Sequence, residues 1–133
     1  MLVCGKNVLK ETPTNKIHKV YLKEGFKDQE ILTYLKENKI KYEFAPEFRL
    51  NKMVSEHHQG VVIDIDDYNY YKLEDVLEEN FLVCLDHLED PHNLGAIIRT
   101  CECAGIKGII IPKDRSVRVN ETVMKISAGA INN

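Results

Sequence analysis

The sequence predicts an α/β fold in two blocks joined by a linker, and three observations carry that reading. Strand-like and helix-like apolar patterns alternate along most of the chain. The β-branched run Gly60-Val61-Val62-Ile63-Asp64-Ile65 and the run Phe81-Leu82-Val83-Cys84-Leu85 have the near-continuous apolar character of buried strands. Between them, residues 66–80 are polar, aromatic and acidic, with few candidates for a core. The boundaries that follow are residues 1–65 for a small α/β domain, 66–80 for a linker and 81–133 for the opening of a second domain.

In the first block, Lys16 to Lys23 alternates imperfectly, with apolar residues at Ile17, Val20 and Leu22, and ends on the turn signal Glu24-Gly25, which makes it a strand. Asp28 is placed to cap a helix running through Asn38. Ile31, Leu32 and Leu35 build its apolar face, and Lys36 and Lys39 suit the negative end of its dipole. A short strand at Tyr42-Glu43-Phe44, a helix from Pro46 to Val54 and the strand 60–65 complete the block. In the linker, Lys72 to Glu79 reads as a short acidic helix.

The second block opens with the strand 81–85, which Asp86 ends. A helix follows from about Asn93 to Ala104, with Leu94, Ile97, Ile98 and Cys101 as its core-facing stripe and Gly105 as its terminating glycine. Lys107 to Pro112 is another buried strand and Glu121 to Ile131 another helix. Sheets usually hold about four to six strands, and two cannot form a doubly covered one, so residues 81–133 read as half a domain.

The composition, 44% hydrophobic and 29% charged in 133 residues, is that of a folded chain, not a disordered one. No run approaches the roughly 18 apolar residues of a membrane span, and the N-terminus lacks the layout of a signal peptide, which predicts a cytoplasmic protein without membrane contact. The four cysteines contain no C-x-x-C pair. Cys84 and Cys101 lie among aliphatic neighbours, so reduced, buried thiols are expected and no metal site. A net charge of −3 argues against coating nucleic acid by bulk electrostatics. That average hides an asymmetry. Residues 1–53 carry 11 Lys/Arg against 7 Asp/Glu, residues 54–90 carry 1 against 11, and residues 91–133 carry 6 against 3.

In parallel α/β sheets, ligands gather beyond the carboxyl ends of strands, where helix N-termini offer unpaired N–H groups. The segment from Asp86 to Gly95 holds that place. Asn93 suits either a helix cap or a ligand contact, and Gly95 leaves room for close approach of another backbone or a phosphate. Arg99, off the apolar stripe, reads either as a solvated arginine paired with Glu102 or as a guanidinium aimed at a phosphate or developing oxyanion. Glu89, His87 and His92 are ordinary loop polarity. His57 and His58, as neighbours on a strand, would point to opposite faces and share no metal.

Taken as one string, Asp90-Pro91-His92-Asn93-Leu94-Gly95-Ala96-Ile97-Ile98-Arg99-Thr100, followed by Ala104-Gly105 and Ile109-Ile110-Ile111, closely resembles the first motif of the SpoU (TrmH-like) branch of the SPOUT RNA methyltransferases. Ser127-Ala128-Gly129-Ala130 resembles that family's next helix. His58-Gln59-Gly60-Val61-Val62 resembles the end of its substrate-binding domain, and Gly5-Lys6-Asn7-Val8-Leu9-Lys10 the opening of that domain. The resemblance covers nearly all the chain and is nearest to the subgroup that methylates a guanosine ribose in large-subunit ribosomal RNA.

The resemblance implies a ribosomal-protein-like α/β RNA-binding domain, a flexible linker, and the N-terminal half of an α/β-knot catalytic domain. It also implies S-adenosylmethionine as cofactor, RNA as substrate and a homodimer, with no metal required. Asn93 and Arg99 match its active-site positions, and His58 and Gly95 are the residues assigned to RNA contact. A guanidinium is delocalised and a poor proton acceptor, so Arg99 is expected to orient a phosphate and stabilise the forming 2′ alkoxide, not to act as a base. The family's later motifs, which build the cofactor site, do not occur here, and neither does a G-x-G-x-x-G. The chain therefore reads as truncated before them, with no cofactor-binding residue of its own. Two rival readings are an RNA-binding fragment without catalysis and a transfer-RNA 2′-O-methyltransferase.

Overall fold

The computed structural model describes residues 1–132, which cluster into two compact units, the first spanning Met1–Asp67 and the second beginning at Tyr68. Both alternate strands and helices, as the α/β expectation requires.

The first unit contains β1 (Leu2–Cys4), α1 (Lys6–Glu11), β2 (Ile17–Lys23), α2 (Gln29–Glu37), β3 (Tyr42–Ala45), α3 (Glu47–Met53) and β4 (Val61–Ile65). The sheet order is β1-β4-β2-β3, with β4 antiparallel to both its neighbours and β2 parallel to β3. Central β4 buries Val61, Val62, Ile63 and Ile65, which accounts for its β-branched run. Val62 packs with Cys4, Ala45, Leu50 and Val54, so α3 covers that face. Val61, Ile63, Val20 and Leu22 alternate to the other face, and Val8 and Leu9 of α1 and Ile31 and Leu35 of α2 are buried as well.

The imperfect pattern of β2 has a structural cause. Its register against β4 shifts between Ile17 and Lys19, so Ile17 pairs with Ile65, Val20 with Ile63 and Leu22 with Val61. The extra residue at His18 is a bulge that puts Ile17 and Val20, three apart in sequence, on one face. Neither β1 nor α1 was expected as an element. Each is too short to display a period, and β1 exists through its pairing with β4.

Helix α2 begins where the sequence places it. Asp28 accepts a hydrogen bond from the Ile31 N–H at 3.3 Å, and its other oxygen lies 2.5 Å from Lys6 Nζ. The hydrogen bond from Lys6, then that from the Ile31 N–H, holds the Asp28 carboxyl below the usual carboxylate range.

The second unit contains β5 (Leu82–Cys84), α4 (Pro91–Cys103), β6 (Gly108–Ile110) and α5 (Glu121–Ile126), with short 3-10 turns at Leu73–Val76 and Ala130–Asn132. Strands β5 and β6 run parallel, Leu82 opposite Gly108 and Cys84 opposite Ile110. A Cβ at 108 would stand 2.2 Å from Leu82 Cδ2, so a larger residue there requires the end of the Leu82 side chain to move aside. Leu94, Ile98 and Val123 form the core, with Leu85, Leu88 and Ile109 packed against it. Helix α4 ends on a Schellman motif: Gly105, at φ +72°, donates to the Glu102 carbonyl and Ile106 donates to the Cys101 carbonyl.

Three expectations for this unit are corrected. The helix expected over Glu121 to Ile131 stops at Ile126, because Ala128 and Gly129 take successive left-handed conformations at φ 51° and 89°. The acidic helix expected over Lys72 to Glu79 is a single 3-10 turn, because Leu73 and Leu77 stay 53% and 60% exposed and bury too little to hold more. The strand expected to be covered on both faces is not. Phe81 is 64% exposed, and Cys84 is exposed where a buried thiol was expected, since β5 pairs only with β6 among the described residues. Cys4 and Cys101 are buried, and no disulfide joins the four cysteines. No helix among the described residues is long and apolar enough to cross a membrane.

The Asp28 contacts predict a pH dependence. A depressed folded-state pKa stabilises the fold above the unfolded value of about 3.9 and loses that contribution as pH falls through the folded value. Asp28→Asn should therefore melt below wild type at pH 7, with the gap closing below about pH 4. Thermal denaturation of both chains across that range measures it.

Candidate functional site

The motif that resembles the methyltransferase signature lies along α4, and the start of that helix differs from expectation. Asp90, not Asn93, is the N-cap: its Oδ1 accepts from the His92 N–H at 2.8 Å, and Pro91 occupies the first helical position. Asn93 is thus in the first turn, exposed, with its amide not used for capping. The preceding loop is anchored at Leu88, whose carbonyl accepts from the Val117 N–H at 2.7 Å and Ser116 Oγ at 3.1 Å. Asp86 and His87 hydrogen-bond to one another in that loop, with His87 at φ 51°.

Leu94, Gly95, Ile98 and Cys101 form the buried side of α4, with Ile97 half-buried beside them. Opposite, Asn93, Ala96 and Arg99 are all exposed and follow one another at three-residue steps. Asn93 and Arg99 stand about 9 Å apart along the axis and about 120° apart around it, with the small Ala96 between them. A flat group resting on Ala96 would have an amide on one side and a guanidinium on the other. Arg99 makes no ion pair with another described residue, so the pairing with Glu102 does not form.

Gly95 does not stand open to RNA. It is buried against α5, and a Cβ there would come 2.7 Å from Ile126 Cβ and 3.2 Å from the Ser127 backbone nitrogen. Of the two neighbours its absent side chain can admit, this one is protein. His58 is also buried, 7% exposed, with Nε2 2.8 Å from Asn51 Oδ1 and Nδ1 accepting from the Gly60 N–H at 2.9 Å. That acceptor role fixes the neutral, Nε2-protonated tautomer. His58 therefore braces its loop and presents no edge of its own to a ligand.

His57 and His58 also depart from the expected placement. They lie in the loop between α3 and β4, not on a strand, and their rings run nearly parallel, 6.4 Å apart at 19°. Among the described residues no group of three or more His, Cys, Asp or Glu is placed to hold a metal ion. Sequence reasoning passed over Asn51, which carries no motif and is tied to the loop before β4 by its hydrogen bond with His58. It also passed over Tyr70, whose hydroxyl accepts from the Val119 N–H at 2.8 Å beneath the Arg118 guanidinium.

With this geometry in view, comparison with known proteins is informative. A family model described as RNA 2′-O ribose methyltransferase substrate binding matches residues 2–71, and the SpoU rRNA methylase family model matches residues 80–133. The chain belongs to the SpoU RNA methyltransferase family. A Bacillus subtilis relative, YacO, whose name places it among TrmH-family tRNA/rRNA methyltransferases, is 39% identical over 97% of this chain and 57% of its own length. A Staphylococcus haemolyticus relative of the same description is 36% identical over 98% of this chain. The chain spans a little over half the length of these SpoU relatives. Among solved structures, the AdoMet-bound rRNA methyltransferase of Sinorhizobium meliloti superposes with a TM-score of 0.72 at 23% identity, over 98% of this chain and 50% of that one. The SpoU methyltransferase AviRb of Streptomyces viridochromogenes, in complex with AdoMet, gives 0.70 at 18% identity over 98% of this chain and 50% of its own. At these identities the likeness establishes the fold, which is the SpoU α/β architecture.

The Gly95 contact gives a prediction. Relieving a helical glycine is worth about 0.5–1 kcal/mol, whereas forcing a methyl into a filled site costs about 1–3 kcal/mol. The second effect wins because a backbone atom also lines the space. Gly95→Ala should destabilise the second unit by about 1–2 kcal/mol, read by urea denaturation.

Proposed function

We propose that the protein transfers a methyl group to a ribose 2′-hydroxyl in RNA, with a guanosine of large-subunit ribosomal RNA as the target. In this reading residues 1–65 recognise RNA, 66–80 link, and 81–133 belong to the catalytic domain of a cytoplasmic homodimer. The observation that carries it is the tandem match of the two SpoU family models along the chain, with Asn93 and Arg99 exposed on one helix face in the second.

S-adenosylmethionine would supply the methyl group. The described residues have every buried side-chain nitrogen and oxygen already hydrogen-bonded, so no buried atom of theirs marks a place for it. Their contribution lies on the substrate side. Arg99 is exposed and makes no ion pair among the described residues, which suits a forked contact to an RNA phosphate and stabilisation of negative charge on the ribose oxygen. Asn93 brings a donor and an acceptor across Ala96 and would fix the ribose against rotation.

A transfer-RNA target is the rival within the same chemistry, since the named relatives are described as tRNA/rRNA methyltransferases. Mapping ribose methylation in RNA from a deletion strain separates the two. Loss at a ribosomal guanosine supports the proposal, and loss at a transfer-RNA position alone overturns it. In the full-length protein, Arg99→Lys should slow methyl transfer by about 10²-fold, because a point charge replaces the planar fork. Equal rates in a labelled-methyl assay would remove Arg99 from the mechanism.

A further inference from the structure

In the first unit a cleft of about 660 Å³ is lined by residues that include Lys23, Phe26, Glu47, Asn51, His57 and Gln59. Clefts of about 300–1,000 Å³ are the usual size for small-ligand sites. It lies at the carboxyl ends of the parallel strands β2 and β3, the end of such sheets where ligands collect.

The fold has already oriented its polar groups. Because Gly60 N–H donates to His58 Nδ1, His58 must use its Nε2–H to donate to Asn51 Oδ1. The oxygen of Asn51 is thereby occupied, and its NH₂ group is left to donate. Gln59 is set the same way, its Oε1 accepting from the Lys6 N–H at 3.2 Å. Both residues are exposed, and neither amide NH₂ has a described partner. Gln59 holds a left-handed conformation at φ 54°, an arrangement a non-glycine residue adopts at a cost and that fixes its side chain at the rim. Flat surfaces complete the lining. Gly60 lets the Phe26 ring approach within 3.1 Å of where a Cβ would stand, and exposed His57 runs parallel to the locked ring of His58.

The charges exclude an anion. Lys23, the one lysine in the lining, sits 2.9 Å from Glu47, and Glu56 adds a second carboxylate. Lys6, whose Nζ lies 5.5 Å from the Phe26 ring centre, is held by Asp28, so among the described residues a phosphate would meet no unpaired lysine there.

We propose that this cleft receives one unpaired RNA nucleobase that carries a carbonyl, its oxygens accepting from Asn51 and Gln59 and its face lying against the His57 and Phe26 rings. Adenine has no carbonyl and sets an N6 donor beside its ring-nitrogen acceptors N1 and N7, so it matches two outward donors less well than uracil, which offers two carbonyl oxygens. The proposal rests on the reading of the first unit as an RNA-binding domain and adds to it a base-discriminating subsite.

The test uses the whole chain with fluorescein-labelled hexauridylate and hexaadenylate, followed by anisotropy. Hexauridylate should bind at least about fivefold tighter, the effect of roughly one hydrogen bond. Asn51→Asp and Gln59→Glu keep the acceptors that His58 and Lys6 require while removing the donors. Each should weaken hexauridylate about fivefold to tenfold and erase the preference, with thermal melting unchanged. Asn15→Asp, an exposed site before the opposite end of β2, makes the same charge change and should do neither. Equal affinity for the two hexamers, or losses no larger than that of Asn15→Asp, would overturn the subsite while RNA binding stood. No binding of either hexamer would overturn both.

Discussion

The burial of β4 on both faces is the constraint on which the first unit depends. A strand flanked by β1 and β2 and covered from both sides needs apolar residues at nearly every position, and Val61 to Ile65 supply them. Helix α3 covers one of those faces, and a cleft opens beside it at the carboxyl ends of β2 and β3. The loop entering β4 must turn sharply there, which it does through the left-handed pair Gln59 and Gly60. Hydrogen bonds to His58 and from Lys6 hold that turn, so the packing of the core and the polarity of the cleft are set together.

A similar division governs α4. Its buried side is narrow and includes a glycine because α5 passes within contact distance, and that close passage leaves the opposite side free of packing duties. Residues there can be selected for chemistry alone. Asn93 and Arg99 fall on that side, and neither contributes to the core.

Much of this was legible in the sequence wherever burial imposes a period. The strands β2, β3 and β4, the helices α2, α3 and α4 and the cap at Asp28 follow from apolar spacing and one capping residue. Features created by a partner in space were not legible. β1 depends on β4, and the tight fit of Gly95 depends on Ile126, thirty-one positions away in sequence. Cys84 was misread because aliphatic neighbours imply burial only when something covers both faces of the strand. At the candidate site, string similarity found Asn93 and Arg99 but could not show that the helix starts at Pro91, which moves Asn93 from cap to exposed first turn. Asn51 had no signal at all, since its role is assigned by the protonation of a histidine seven residues later.

The bulge at His18 bears on how this domain can change through evolution. Ordinarily, losing one residue from a strand rotates everything beyond it by half a turn and exposes what was buried. Here the surplus residue already sits outside the ladder, so deletion at that point would leave Ile17, Val20 and Leu22 facing the core in plain alternation. Length variation among relatives should therefore be tolerated at this position of β2 and purged between Val20 and Leu22. The irregularity is the strand's one point of slack.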